Sequence, residues 1–284
     1  MLCYNGTLMN RSDFTANWHT HNFRCRHARG DFSDYARAAL DAGINVLGIS
    51  DHCPTPDNRD IGVRMFYSDL QGYIDGFRTS RDSVPGVEMH LGVELEHYRD
   101  ILPAYAEGLL SMGVEYIAGA THFFMTSEGE KVSAWFNVPT ENQPRLALEY
   151  GDFVVEMIES GLYAFIAHPD LIGCFCDRWL PECEEATRRI AHAARDCGTP
   201  LEINTSGYLK PWKLDSGTGA KRPQYPWEPF WKTVAEVGAT VMINSDAHLP
   251  ESIAQRLDDA LTLCDRCGMK PTIFTSVKGN RLVG

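Results

Sequence analysis

Short apolar runs alternate with amphipathic stretches along the chain. The runs cover residues 17–21, 44–51, 88–95, 114–122, 162–168, 200–205 and 240–246. Ile44-Asn45-Val46-Leu47-Gly48-Ile49 has the length and branched-residue content of a strand buried on both faces. Between the runs, helical spacing of apolar positions predicts helices over residues 32–41, 143–160, 182–197 and 253–267. Gly43, Gly113, Gly161, Gly198, Gly238 and Gly268 each follow such a stretch, where a left-handed cap residue is wanted. Ser33 and Pro226 stand near expected helix starts. Pro181 precedes Glu182, Glu184 and Glu185, an acidic first turn suited to the positive end of a helix dipole.

Strand-then-helix repetition implies parallel strands joined by right-handed crossovers. Seven repeats in 284 residues favour a closed or nearly closed β/α barrel over an open doubly wound sheet, although spacing alone leaves the open sheet as an alternative. No linker or low-complexity segment interrupts the rhythm, so one domain over residues 1–284 is expected. Residues 125–144 and 207–226 read as irregular loops over the active face.

Composition narrows the function classes. A chain with 44% hydrophobic residues can bury a large core. With a net charge of −12 and no Lys/Arg run, nucleic-acid binding is excluded as the main role. No run of about 18 apolar residues is present, which argues against a membrane span. The opening residues lack the basic start and apolar run of a signal peptide. With nine cysteines, a cytoplasmic protein with reduced thiols is the expectation, and the sequons at Asn5 and Asn204 then carry no weight.

The polar residues that interrupt the strand ends carry the chemistry. His19 and His21 close the first run with both side chains on one face, because strand side chains alternate. Asp51 and His52 end the second run, Glu94 the third, His122 the fourth, His168 the fifth, and Asp246 with His248 the seventh. His27, six residues past His21, can reach the same place. In a parallel barrel all these ends open on one rim, the C-terminal one. Imidazoles crowded there without an ion would leave ring nitrogens unpaired or mutually repelling. A metal cluster at that rim is therefore the expectation, with Glu94 and Asp246 supplying charge and bridging oxygens. His90, His97 and His192 fall off the pattern and read as structural or solvent-facing.

Side-chain nucleophiles are less well supported. No G-x-S-x-G elbow follows a strand. Cys25, between His21 and His27, reads as a loop filler rather than a thiolate. Cys174 with Cys176, and Cys264 with Cys267, have zinc-like spacing; the latter pair lies on an amphipathic helix and reads as buried apolar cysteine.

These residues resemble the PHP (polymerase and histidinol phosphatase) superfamily, and within it the monofunctional histidinol-phosphate phosphatases. The resemblance rests on His19-Thr20-His21, Cys25-Arg26-His27-Ala28-Arg29-Gly30, Gly48-Ile49-Ser50-Asp51-His52-Cys53-Pro54 and Gly92-Val93-Glu94-Leu95-Glu96. It continues through Thr121-His122-Phe123, Ala167-His168-Pro169-Asp170-Leu171, Glu202-Ile203-Asn204-Thr205-Ser206-Gly207 and Ser245-Asp246-Ala247-His248. It implies a distorted (β/α)7 barrel of parallel strands with two to three divalent ions at its C-terminal rim, three when every position is filled. His19, His21, Glu94 and Asp246 would hold the first. Glu94 would bridge to a second on His122 and His168. His27, His52 and His248 would hold the third. Zinc, manganese and iron all accept such ligands.

The expected reaction is in-line hydrolysis of a small phosphomonoester by a water whose pKa the ions lower. Glu94, Asp246 and His248 are expected to serve catalysis as well as ligation. Arg222 is the first candidate to position the phosphate, against a solvated loop charge. Ser206 is a second, against a turn-forming serine. Glu202 and Asn204 are candidate supports behind the ligands. L-histidinol phosphate is the leading substrate. A nucleotide, sugar phosphate or phosphotyrosine is the alternative, and an inactive metal-binding module is the third reading.

Overall fold

The computed structural model describes residues 9–284; the sequon at Asn5 and the start of the chain lie outside the described residues. Seven parallel strands form one sheet in chain order: β1 (Ala16–Asn17), β2 (Val46–Ile49), β3 (Glu88–Glu96), β4 (Tyr116–Ala120), β5 (Phe165–Ile166), β6 (Leu201–Asn204) and β7 (Val241–Asn244). Each lies within, or within one residue of, an apolar run read from the sequence. Their residues are almost all buried, as a sheet covered on both faces requires.

The sheet is nearly closed into a barrel. Between β7 and β1 no strand ladder forms, and asparagine side chains replace it. The Asn17 side-chain amide donates to Ser245 Oγ at 2.6 Å, and the backbone N–H of Trp18 donates to Asn244 Oδ1 at 2.8 Å. Just beyond the strands the His21 N–H donates to the Ala247 carbonyl at 2.9 Å. The seam thus satisfies backbone groups that an open edge would leave bare.

Inside the barrel, glycine makes room for a large ring. Tyr116 crosses the interior to donate from Oη to the Trp18 carbonyl at 2.7 Å. A Cβ at Gly48 would stand 2.2 Å from that hydroxyl, and one at Gly92 2.2 Å from the ring, so neither position admits a side chain without displacing Tyr116. Trp18, Tyr116, Phe165, Met242 and Phe274 fill the N-terminal end. A hairpin of Ser276–Val277 and Leu282–Val283 closes it from below, with Asn280 accepting from Ile117 N–H and donating to the Leu162 carbonyl. That end is apolar and plugged.

Helices α1 (Phe32–Asp41), α2 (Leu70–Ser80), α3 (Ala104–Met112), α4 (Gln143–Glu159), α5 (Ile172–Phe175), α6 (Pro181–Cys197), α7 (Glu228–Val237) and α8 (Leu257–Cys267) complete the fold. The six glycines expected to end helical stretches all have left-handed backbones, with φ from 66° at Gly198 to 105° at Gly113. The first helix covers the expected residues 32–41 and the last starts later than expected. Asp31, not Ser33, caps α1, in a reciprocal capping box with Asp34. The last helix begins at Leu257 rather than at residue 253, because Arg256 adopts a left-handed backbone that the helix cannot include. The expected loop over 207–226 holds a short hairpin, Lys213–Leu214 with Lys221–Arg222, and another, Phe123–Met125 with Lys131–Ser133, starts two residues before the expected loop over 125–144.

Candidate metal centre

The strand ends deliver the expected residues to the C-terminal rim. Glu94 lies near the end of β3, and the pairing of β2 with β3 continues as a bridge that sets His52 beside it. His122 and His168 follow β4 and β5; Asp246 and His248 follow β7. His168 and Asp246 have left-handed backbones, with φ of 31° and 49°, an uncommon conformation for residues with a side chain.

Three pairs of imidazole nitrogens face each other. His19 Nε2 lies 3.1 Å from His21 Nε2, and His122 Nε2 3.2 Å from His168 Nε2. His248 Nε2 stands 2.9 Å from His27 Nε2. Two nitrogens on one ion at about 2.0–2.1 Å, with a tetrahedral angle between them, stand roughly 3.3 Å apart. Carboxylates lie between the pairs. Glu94 Oε1 is 3.0 Å from His168 Nε2 and 3.5 Å from His19 Nε2. Asp246 Oδ1 is 2.9 Å from His21 Nε2. Glu94 Oε2 is buried and accepts no hydrogen bond, although His52 Nδ1 lies 2.7 Å away. The donor set fits metal ions.

Behind these pairs stand residues whose roles the sequence reading had not assigned. His122 Nδ1 meets Glu96 Oε1 at 2.6 Å, and His21 Nδ1 meets Asp51 Oδ1 at 3.2 Å. His19 Nδ1 meets Glu202 Oε1 at 2.8 Å, as the support expected of Glu202. Asn204, the other expected support, donates to Glu202 and to Asp246 Oδ2. Its amide is buried, so its sequon offers no acceptor. A carboxylate on the far nitrogen fixes the tautomer and turns Nε2 toward the ion. Arg64, fully buried, balances Glu96 at 3.5 Å. The signal for Glu96 was its position two residues past Glu94, on the same strand face.

Proton affinities divide along the same lines. Burial would lower His19, but Glu202, Asp246 and Glu94 outweigh it and hold the ring well above its ordinary value. Burial is likewise overcome at His21, pushed up to about 9 by Asp246 and Asp51. Burial opposes and Glu96 raises His122. His248 is pulled down to about 3 by burial and by His21, and burial also lowers His27 and His52. Burial would raise Glu94 and Asp246; the imidazoles overcome it and hold both carboxyls well below their usual range. Burial pushes the Cys25 thiol up and Asp51 adds to the effect, so it stays protonated. Among the described residues the cysteines are free; Cys176 and Cys183 touch at 3.6 Å in the interior.

Above this floor lies a cavity of about 730 Å³, walled by Trp135, Phe136, Tyr225, Leu209, Pro211 and Val63. Ser206 lines it, as expected of a substrate contact. Arg222 does not. Its guanidinium donates to the carbonyls of Gly173, Pro223 and Cys176 at 2.7–3.1 Å and lies over the Trp227 ring. A cation expected to hold phosphate instead pins the hairpin to the turn after β5. His90 and His97 sit away from the centre, held by Glu115 and by Tyr163 with Glu156.

A family model described as PHP domain matches residues 17–206. A probable histidinol-phosphatase of Deinococcus radiodurans is 30% identical over 253 residues, 86% of this chain and 90% of that protein. Another from Schizosaccharomyces pombe is 22% identical over 276 residues, 88% of this chain and 86% of that one. The solved histidinol phosphate phosphatase of Lactococcus lactis, in complex with zinc, L-histidinol and phosphate, superposes with a TM-score of 0.69 at 12% identity, covering 95% of this chain and 99% of that one. The matched segment carries His19, His21, His52, Glu94, His122 and His168 of the first five strand ends, and the fold likeness extends past it through β7. This chain belongs to the PHP domain family.

Proposed function

We propose that this protein is a metal-dependent phosphomonoesterase that converts L-histidinol phosphate to L-histidinol and phosphate. The observation that carries the reading is the set of three facing Nε2 pairs around Glu94 and Asp246, beneath an aromatic-walled cavity. His19, His21, Glu94 and Asp246 would hold one divalent ion, Glu94 with His122 and His168 a second, and His27, His52 and His248 a third, drawn from zinc, manganese or iron. When bound, such ions lower the pKa of a water and neutralise charge on the phosphoryl oxygens and the leaving alkoxide.

The chain's own groups then have distinct tasks. Asp246 Oδ2 is steadied by the Asn204 amide at 3.2 Å, and this ionised carboxylate, at the edge of the cavity, would orient the attacking water by accepting its hydrogen bond. Glu94, held ionised among imidazoles, keeps the two deep positions a fixed distance apart. His248, kept neutral, lines the cavity. Ser206 hydrogen-bonds the substrate's phosphate. The barrel and its hairpins work as one domain, in the reduced cytoplasm.

One observation favours a second reading, a PHP phosphoesterase for another small phosphomonoester. Apart from Asp246 no carboxylate among the described residues lines the cavity, so the ammonium of histidinol phosphate has few partners there. A hydrolysis screen separates the two, with L-histidinol phosphate beside a nucleotide, a sugar phosphate and a phosphotyrosine peptide. The leading reading expects L-histidinol phosphate to be the best substrate. Slow turnover beside a much better ester would replace it. No hydrolysis of any ester with zinc, manganese or iron would leave only a metal-binding module.

A further inference from the structure

With a net charge of −12, the protein repels a phosphate ester at long range, so a local cation has to offset that field. The cations near the rim are mostly committed elsewhere. Arg26 donates to the Ile61 carbonyl and lies over Phe66. Arg64 is buried beside Glu96. Lys213 Nζ is held by Asn137 and the carbonyls of Cys174 and Cys176. Arg222 is tied to carbonyls, as described above.

Lys210 differs from all of them. It is the one lysine or arginine lining the cavity among the described residues, and there its Nζ makes no hydrogen bond or ion pair. Its position is nonetheless defined. It follows the turn Thr205–Leu209 that carries Ser206, and its N–H donates to the Gly207 carbonyl. Its Nζ lies 5.9 Å from the centre of the Trp135 ring, within range of a cation–π contact. Trp135 is itself fixed over the centre. The Ala134 N–H donates to the His122 carbonyl at 2.9 Å, and the indole stacks on the His122 ring at 5.5 Å and 22°. An unpaired ammonium on an aromatic shelf beside a metal-ligand histidine is arranged to meet an anion entering the cavity.

We propose that Lys210, not Arg222, is the side chain that receives the phosphoryl anion of the substrate, with Trp135 as its platform. The proposal rests on the phosphomonoesterase reading for its role in turnover, but not for its anion binding. The test compares wild type with Lys210→Met and Lys210→Arg, all loaded with zinc. It reads KM and kcat on L-histidinol phosphate and on p-nitrophenyl phosphate, and calorimetric binding of inorganic phosphate. Lys210→Met should raise KM and the phosphate Kd about tenfold, the loss of one charge-assisted contact, with kcat nearly unchanged. Zinc content should match wild type, and Lys210→Arg should restore most of the affinity. The fall of kcat/KM with added salt should also flatten in Lys210→Met.

Wild-type KM and wild-type phosphate affinity in Lys210→Met, in an enzyme that turns over, would overturn the proposal while leaving the phosphatase reading intact. Weakened phosphate binding in a protein that hydrolyses neither ester would support Lys210 as an anion contact and sink the phosphatase reading instead.

Discussion

The two deep histidine pairs and the outer pair are built from the same side chains yet supported differently. Around His19/His21 and His122/His168, buried carboxylates of Glu202, Asp51 and Glu96 stand behind three of the four rings, and Glu94 lies between the pairs. His27 and His248 are more exposed, and their Nδ1 atoms meet the carbonyls of Cys25 and Asp246 instead. A carbonyl orients a ring but adds no net charge to the site. The difference teaches that buried negative charge backs the deep rings and neutral carbonyls back the outer pair, so a bound cation would be held more firmly at the deep positions.

The largest expected effect comes from removing the group the deep pairs share. Glu94→Ala should strip ions from both deep positions and cost about a thousandfold or more in kcat/KM, read by elemental analysis and kinetics. Retention of normal metal content and rate would defeat the assignment. Next come the carboxylates behind the rings. Glu96→Gln or Asp51→Asn should weaken deep metal affinity about 10–100-fold, whereas His27→Ala should lose one weakly held equivalent and spare the other two. Equal losses in all three variants, measured by competition with a chelator, would erase the comparison.

The smallest effect is a difference in protons. His19 and His21 are both held above their ordinary values, and His21, at about 9, carries a proton at pH 8 in the metal-free protein. An ion needs them neutral, so deep uptake releases protons and weakens as pH falls. His27 and His248 are held low and already neutral at that pH, so outer uptake releases none. Calorimetry at pH 8 in buffers of different ionisation enthalpy counts the protons. Equal release in the deep and outer steps would contradict this division.

Strand ends made most of the site legible in the sequence. Period-two alternation put His19 with His21 on one face, and parallel topology carried every other expected metal-binding residue to the same rim. Other features depended on contacts that no local pattern encodes. Arg222 sits in a polar-looking segment, yet its partners are backbone carbonyls 46 and 49 residues earlier in the chain. Glu96 was visible beside Glu94, but its role depends on His122, 26 residues further on. The start of α8 turned on the left-handed backbone of Arg256, a residue whose type gives no warning of it. Much of the cavity wall, Trp135, Phe136, Leu209, Pro211 and Tyr225, comes from segments that read as irregular loops.

The central claim is that facing Nε2 atoms mark ion positions. Anomalous diffraction from crystals of the zinc-loaded protein tests it directly. Strong peaks are expected about 2.0–2.1 Å from the Nε2 atoms of His19 with His21 and of His122 with His168, and a weaker one between His27 and His248. Zinc found only away from these pairs would contradict the account.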